Sequence, residues 1–459
     1  MRRGLFGSKL GIYFAAIGSA FGLGSLWRFP FVVAENGGGA FVLIYALCLL
    51  LLGLPILIGD LIIGKFTKRS VISAARQLVA HKQTEVKSSF LLRIAPKVAT
   101  LSVIVCLLVL AYYSVISGWV LHYLFQFVAA PFQSDPQVLL GTLDKLKSAG
   151  WLQVLLTSVH LLVVGVVVLK DMEDGIEKVV GYVVPIFLGI VFVLMLRALQ
   201  LETRNEGLRF FLYPDFTKLT LNSLGAAVGQ LCFTLSLGFA TMITFGSFMQ
   251  DQNRSSGTGF RVAGLDSLAA IIAGLLIFPL MAMGNLHGPY GPDLLFRTLP
   301  DFFLQWNGGI AFGIFFFICL YLAAVGASIS IVETVVSNLK EAFHLERKKA
   351  TLISVSLTFL VSIVPALATS IFSDVRIGTR DILSFWDWSL LNWVVPILAL
   401  FMSQLVVYKM NPEFKRGEFG PDGDPAADIL YYHWSLVMKW VVPPLIGLGL
   451  LLQLVQLVL

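Results

Sequence analysis

IGSAFGLGSLWRFP, at residues 17–30, is an apolar run with glycines at positions 18, 22 and 24. A second run, QLCFTLSLGFATMITFG at residues 230–246, carries Ser236 and Gly238 near its middle. Glycine weakens the interior of a helix, and small polar residues compete for its backbone hydrogen bonds. We therefore predict that both helices are interrupted in mid-membrane. Close helix packing through small residues is the alternative explanation.

The composition is that of a membrane protein. Of the 459 residues, 57% are hydrophobic and 13% are charged, and the mean hydropathy is +0.84. A soluble domain has about 25% charged residues. Eleven apolar runs are each long enough to cross a bilayer as a helix, which takes about 20 residues. We number them spans 1 to 11: residues 10–34, 39–64, 96–128, 151–169, 179–200, 221–249, 262–284, 309–337, 350–371, 382–408 and 434–458.

These runs predict an all-α polytopic membrane protein and argue against a soluble enzyme, a disordered chain or a nucleic-acid binder. The basic residues predict its orientation. With the N-terminus inside, 22 of the 33 Lys and Arg residues fall in cytoplasmic segments. The positive-inside rule then predicts a multi-pass protein of the inner (plasma) membrane with a cytoplasmic N-terminus and an outside C-terminus.

The two interrupted spans lie five spans apart, and five is odd. Two five-span repeats would therefore be inverted relative to each other. Interrupted helices at matching places in inverted halves indicate a transporter with its site near the bilayer midplane. We expect a first repeat at residues 1–205, a second at 206–408, and a cytoplasmic loop with span 11 at 409–459.

GSAFGLGSLWRFPFVVAENGGGAF at residues 18–41, together with FTLSLGF at 233–239, resembles the neurotransmitter:sodium symporter family. The resemblance extends over residues 3–406 and implies a LeuT-like five-plus-five inverted repeat. It also implies ion-driven uptake of amino acids or their derivatives.

The resemblance implies a substrate site at the two interruptions. Backbone N–H groups of Gly22, Leu23 and Gly24, with the Tyr113 hydroxyl, would bind a carboxylate, for which exposed helix N–H groups are suited. The carbonyl groups of Ala20, Phe233 and Thr234, helped by the region around Ser236, would bind the amine. The full implied set is Ser19, Ala20, Gly22, Leu23, Gly24, Val109, Tyr113, Phe233, Thr234, Ser236, Phe239, Ser328 and Ile331. Tyr113 could instead be an interfacial tyrosine, and the phenylalanines could be ordinary core residues.

Two features of this set, one residue identity and the composition of the pocket, indicate the substrate class. Monoamine carriers of the family have Asp where this chain has Gly22, so Gly22 favours an α-amino acid. The implied side-chain pocket consists of Val109, Phe233, Phe239, Ser328 and Ile331. It has no charged residue, and an unpaired charge is costly to bury. We therefore expect a neutral, apolar or aromatic amino acid.

A first sodium site is implied at the carbonyl of Ala20 and the side chains of Ser25, Thr234 and Asp266. The family usually has Asn at the position of Ser25, and it often has Asn at the position of Asp266. The carboxylate of Asp266 could bind sodium or carry a proton.

A second sodium site would use the carbonyls of Gly18, Phe21 and Ala323 and two hydroxyls of span 8. Gly326 and Ala327 stand where those hydroxyls are needed. We therefore expect one sodium ion, hold the second site in doubt, and keep a proton as a candidate coupling ion. No chloride requirement is expected: Tyr45 and Gln230 match chloride ligands of relatives, but Ala270 stands where a further ligand is needed.

The resemblance also implies two gates. Arg28 would pair with Asp387, although an ungapped count from the preceding span selects Ser384, and Arg3 would pair with Glu341 at the inner end. The six histidines share no metal-ligand spacing, and we expect them at membrane interfaces. The four cysteines lie inside apolar runs and form no metal or disulfide pattern.

We therefore predict a symporter that works by alternating access, driven by a sodium and/or proton gradient. Its partners would be a small amino acid and the lipid bilayer, not nucleic acid, and the oligomeric state stays open. The alternative is an amino-acid sensor with a transporter fold that binds but does not accumulate its ligand. No nucleophile elbow, P-loop or HExxH motif supports an enzyme or an ATP-driven pump.

Overall fold

A computed structural model of the chain describes residues 22–80, 90–132, 139, 141–170, 176–283, 294–305 and 307–458. The longer α-helices are Gly39–Cys48, Leu54–Thr67, Val71–Ala80, Phe90–Ala129, Gly150–Leu169, Lys178–Ala198, Ser223–Thr234, Ser255–Ala282, Gly309–Phe343, Arg347–Ala366, Val395–Lys409, Pro425–Trp440 and Val442–Val458. Shorter α-helices are Phe29–Glu35, Thr142–Ser148, Arg204–Leu212, Thr241–Ser247, Leu299–Gln305, Ile382–Ser389 and Pro412–Gly417. Wider π-type turns are Gly24–Arg28, Leu49–Gly53, Leu294–Thr298 and Leu390–Val394, and tighter turns are Ala130–Phe132 and Phe216–Lys218.

Nine helices within these described ranges are long and apolar enough to cross a membrane. They correspond to spans 2–5 and 7–11: Gly39–Thr67, Arg93–Phe132, Gly150–Leu169, Lys178–Ala198, Ser255–Ala282, Gly309–Phe343, Arg347–Ala366, Ile382–Lys409 and Pro425–Val458. Span 6 is divided into two shorter helices, and residues 10–21 of span 1 lie outside the described residues. The prediction of an all-α polytopic membrane protein is confirmed.

The predicted interruption of span 6 is present. Its first helix ends at Thr234 and its second begins at Thr241. Between them the backbone adopts positive φ angles at Ser236 (52°), Gly238 (76°) and Ala240 (68°). At Gly238 a side chain would also collide with span 10, because a Cβ there would lie 2.6 Å from the Val395 carbonyl oxygen. The glycine is therefore required both by its conformation and by its neighbour.

Several helices are longer than the apolar runs that predicted them. Span 7 begins at Ser255 rather than near 262, and span 8 ends at Phe343 rather than near 337. A polar sequence can continue a helix beyond the bilayer, so hydropathy marks the apolar part only. The extra turn of span 7 has a cap, because the Ser255 N–H donates to Glu418 Oε2 at 2.8 Å.

Within each of two groups, the helices make extensive contacts with each other. Span 8 packs against spans 3, 4, 5 and 9, while the second helix of span 6 packs against span 2. The latter contact is backbone to backbone: a methyl group added at Gly64 or at Gly246 would overlap the main chain of the opposite helix. Small residues permit such close approach between membrane helices.

A short antiparallel hairpin precedes span 10. Its strands, Arg376–Ile377 and Arg380–Asp381, pair Arg376 with Asp381 and Ile377 with Arg380. The Asp381 carboxylate then accepts a hydrogen bond from the Ser384 N–H at 2.8 Å and caps the helix Ile382–Ser389. An N-cap of this kind fixes where the helix begins, and thereby positions Asp387 about one and a half turns later.

Candidate substrate and ion site

The hydroxyl of Tyr113 lies against the glycine segment of span 1. The Leu23 N–H donates to Tyr113 Oη at 2.9 Å, and both groups are buried. Tyr113 is only 2% exposed, which does not fit an interfacial tyrosine. Because the hydroxyl oxygen accepts from Leu23, its own hydrogen stays available to donate. A carboxylate placed here would face both the hydroxyl and the backbone N–H groups.

Spans 1, 3, 6 and 8 converge on the same point. A Cβ added at Gly22 would lie 2.7 Å from Tyr113 Oη and 2.8 Å from the Ala327 Cβ, and one at Gly24 would lie 3.0 Å from the Phe233 ring. The rings of Tyr113 and Phe233 are 6.4 Å apart between centroids, as are those of Phe233 and Phe239. The glycines thus leave the backbone of span 1 in direct contact with its neighbours. Val109, Ser328 and Ile331 are buried on spans 3 and 8, while Ser19 and Ala20 lie outside the described residues.

Three side chains that were predicted to bind the first sodium are buried near one another. Ser25 Oγ donates to Asp266 Oδ1 at 3.2 Å, and Thr234 Oγ1 is 3.2 Å from the Tyr45 hydroxyl. The second carboxylate oxygen of Asp266 is buried and has no hydrogen-bond partner among the residues that the structure describes. A buried carboxylate oxygen in that condition is costly. Oxygen ligands suit a hard cation, so this set fits either a sodium ion or a proton on Asp266.

The second sodium site can be followed only in part, because Gly18 and Phe21 lie outside the described residues. Ala323, Gly326 and Ala327 are buried on span 8. The methyl group of Ala327 faces Gly22, so no side-chain hydroxyl is present at this point of span 8. The hydroxyl of Ser328 does not substitute for it, because it lies 2.9 Å from His160 Nε2 on span 4.

Arg28 connects span 1 and the first helix of span 6 to span 10. Its Nε lies 3.5 Å from Asp387 Oδ1, and Nη1 donates to Gln230 Oε1 at 2.6 Å. The Gln230 amide in turn donates to the Gly24 carbonyl at 3.0 Å. The guanidinium carbon is 5.5 Å from the centroid of the Phe233 ring, within cation–π range. Arg28 is therefore held by one ion pair, one hydrogen bond and one aromatic face.

A cavity of about 260 Å³ adjoins this ion pair. Its lining includes Trp27, Arg28, Glu35, Arg380, Asp387 and Trp388. Ser384, the alternative partner for Arg28, also lines the cavity, but the ion pair is made by Asp387.

Comparison with known proteins identifies the family. The sequence profile described as the sodium:neurotransmitter symporter family matches residues 3–138 and 132–377. The chain belongs to this family. It is 32% identical over 437 residues to an uncharacterized sodium-dependent transporter, YhdH, of Bacillus subtilis strain 168, covering 95% of this chain and 94% of that protein. An uncharacterized sodium-dependent transporter of Haemophilus influenzae is 27% identical over 454 residues, covering 97% of each chain.

The fold matches a solved transporter of the LeuT type. The crystal structure of MhsT in complex with L-phenylalanine superposes with a TM-score of 0.88 at 28% identity, covering 98% of this chain and 100% of MhsT. This symporter is thus a membrane transporter and not an enzyme.

At the other end of the symporter, Glu341, near the end of span 8, contacts the residue that precedes the helix Val71–Ala80. Its carboxylate accepts hydrogen bonds from the Ser70 N–H at 3.0 Å and from Ser70 Oγ at 2.6 Å. Arg3, its predicted partner, lies outside the described residues.

Two residues of the symporter, Gln230 and His160, make contacts that were not predicted from the sequence. Gln230 was matched to a chloride ligand, whereas the structure shows it joining Arg28 to Gly24. His160 was expected at an interface, and this expectation is wrong: it is fully buried in span 4. The sequence does contain a signal for this burial, because His160 lies in the middle of an apolar run. An ionisable residue inside a span usually has a buried partner or a function.

Proposed function

We propose that the protein imports a neutral α-amino acid by ion-coupled symport with alternating access. The observation that carries the proposal is the meeting of Tyr113 Oη with the Gly22–Gly24 segment, where Leu23 donates to it at 2.9 Å. Backbone N–H groups beside a helix break, together with a hydroxyl donor, form a site for a carboxylate. The substrate carboxylate would take Gly22, Leu23, Gly24 and Tyr113 as its donors.

The close packing around Gly22 supports an amino acid over a monoamine. An Asp at this position, which would serve the ammonium group of a monoamine, has no room, because its Cβ would overlap Tyr113 Oη and the Ala327 Cβ. The substrate itself must therefore bring the carboxylate. The predicted side-chain pocket around Phe233 and Phe239 is apolar, and the related transporter MhsT has been crystallised with L-phenylalanine. An apolar or aromatic amino acid is the proposed substrate class.

We further propose that one sodium ion binds beside the substrate, held by Ser25, Thr234 and Asp266 and the carbonyl of Ala20. The ion would supply positive charge next to the substrate carboxylate. The Asp266 oxygen that has no partner among the described residues supports this assignment. Asp266 could take up a proton in place of the ion, which would make transport depend on pH.

The two repeats, at residues 1–205 and 206–408, would rock around this site, with a cytoplasmic N-terminus in the plasma membrane. Arg28 and Asp387 would close the outer side over the substrate, and Arg3 and Glu341 the inner side. Chloride has no proposed role.

A competition experiment tests the substrate class. L-Phenylalanine, its decarboxylated amine phenethylamine and its alcohol phenylalaninol would compete for binding of labelled L-phenylalanine to the purified protein. We expect competition by the amino acid and none by the two analogues that lack a carboxylate. Competition by phenethylamine as strong as by L-phenylalanine would place the substrate amine, not the carboxylate, at Gly22.

The second candidate is an amino-acid sensor, and the absence of hydroxyls at Gly326 and Ala327 favours it, since coupling to a second sodium ion would be weak. A sensor would show the same competition pattern. The two functions separate in a sealed vesicle, because only the symporter accumulates the amino acid.

A further inference from the structure

His160 lies in the middle of span 4 and is fully buried. Its Nε2 is 2.9 Å from Ser328 Oγ, and its ring meets the edge of Tyr321 at 5.8 Å between centroids. Among the residues that the structure describes, Nδ1 has no hydrogen-bond partner. The hydrogen bond to Ser328 is therefore the polar contact that anchors this imidazole.

Ser328 belongs to the part of span 8 that faces the substrate site. The preceding residue, Ala327, meets Gly22, and a further turn brings Ile331 onto the adjoining face. Successive residues of a helix point about 100° apart. Ala327 therefore points at span 1, while the Ser328 hydroxyl turns sideways to span 4, where His160 holds it.

Ser328 is the one side chain with a hydroxyl in the predicted side-chain pocket, whose other members are Val109, Phe233, Phe239 and Ile331. A hydroxyl that is free to rotate into the pocket would offer a partner to a polar substrate side chain. A hydroxyl that is already bonded to His160 leaves the pocket wall apolar at this position. Such a pair would decide whether a polar substrate side chain finds a hydrogen-bond partner in the pocket after it loses its water.

We propose that His160 is a positioning residue that sets the side-chain selectivity of transport by holding the Ser328 hydroxyl out of the substrate pocket. This inference rests on the proposed function, because it needs an amino acid in the site. It assigns to span 4 a part in choosing the substrate.

The test compares L-valine with L-threonine, which have nearly the same shape but differ by a methyl and a hydroxyl group. The ratio of their inhibition constants is measured against labelled L-phenylalanine. In His160→Leu the Ser328 hydroxyl is released, and we expect the preference for valine over threonine to fall about fivefold, the equivalent of one neutral hydrogen bond.

Three variants show whether the effect passes through Ser328. His160→Gln can keep a hydrogen bond to Ser328 and should retain the preference of the parent. Ser328→Ala should retain it as well, because the hydroxyl is already withheld from the pocket. The double variant with His160→Leu and Ser328→Ala should restore the parent ratio, which a general loosening of the helices would not do.

An unchanged ratio in His160→Leu that still binds L-phenylalanine would overturn the inference. So would a lowered ratio that persists in the double variant, or a changed ratio in Ser328→Ala alone. The Ser328→Ala and His160→Gln results keep the proposal refutable even if His160→Leu does not fold. If the parent protein binds none of the three amino acids, the proposed function fails first, and the inference falls with it.

Discussion

Removing the Tyr113 hydroxyl tests the carboxylate site directly. In Tyr113→Phe the bound carboxylate loses one donor, and a hydrogen bond to a charged group contributes about 1.5–3 kcal/mol. In the unbound variant the Leu23 N–H also loses the acceptor it now has at 2.9 Å. Substrate binding would satisfy that N–H again, which offsets part of the loss. We therefore expect affinity to fall about tenfold, near the lower end of the range, since 1.4 kcal/mol corresponds to a factor of ten.

The assay is equilibrium binding of labelled L-phenylalanine to the purified protein. Tyr123→Phe is the matched control, because Tyr123 is buried on the same helix and donates to the Phe296 carbonyl at 2.5 Å. It lies ten residues along the helix, about 15 Å from Tyr113, and its loss should leave affinity unchanged. Equal affinity in Tyr113→Phe and the parent, or equal losses in both variants, would refute the reasoning.

The remaining predictions concern three acidic side chains. Asp387→Asn leaves Arg28 without its counter-charge, so uptake should fall strongly, and normal uptake would move the outer gate to another residue. Asp266→Asn removes the acid beside the ion site, and the dependence of uptake on pH should flatten; an unaltered pH profile would exclude this residue. Glu418→Gln leaves Lys65 buried without its partner at 2.7 Å, which should lower the free energy of unfolding by about 3–5 kcal/mol. Thermal unfolding in detergent measures this, and a midpoint equal to the parent would show that the pair is not desolvated.

The ion-pair predictions have matched controls. Asp251→Asn breaks a pair with Lys68 that is also 2.7 Å long, but Asp251 is 91% exposed. Exposed pairs contribute about 0–1 kcal/mol, so the unfolding midpoint should barely change. For Asp387→Asn the control is exchange of the two charges, Arg28→Asp with Asp387→Arg, which should recover part of the uptake.

The apolar runs and the break in span 6 could be predicted because both are local properties. Hydropathy marks the part of a helix in contact with lipid, and Ser236 and Gly238 weaken the helix that contains them. The helix Val71–Ala80 was not predicted, since it lies in a loop and carries no run long enough to cross a bilayer. The extensions of spans 7 and 8 beyond their apolar runs escaped prediction for the same reason.

Contacts between residues far apart in the sequence could not be predicted from pattern. Ser25 and Asp266 were placed together by resemblance to a family, and the structure brings them to 3.2 Å. Lys65 and Glu418 are 353 positions apart, and His160 and Ser328 are 168 apart. No periodicity joins such pairs, because their meeting depends on how whole helices pack.

The most direct test of ion-coupled import is accumulation of labelled L-phenylalanine in proteoliposomes with single ion gradients imposed. We predict accumulation above the outside concentration under an inward sodium gradient, with an initial rate that depends on sodium with a Hill coefficient near one. The rate at a fixed sodium concentration should change with pH, and the change should disappear in Asp266→Asn. Binding of L-phenylalanine without accumulation under any sodium or proton gradient would contradict the account and identify the protein as a sensor.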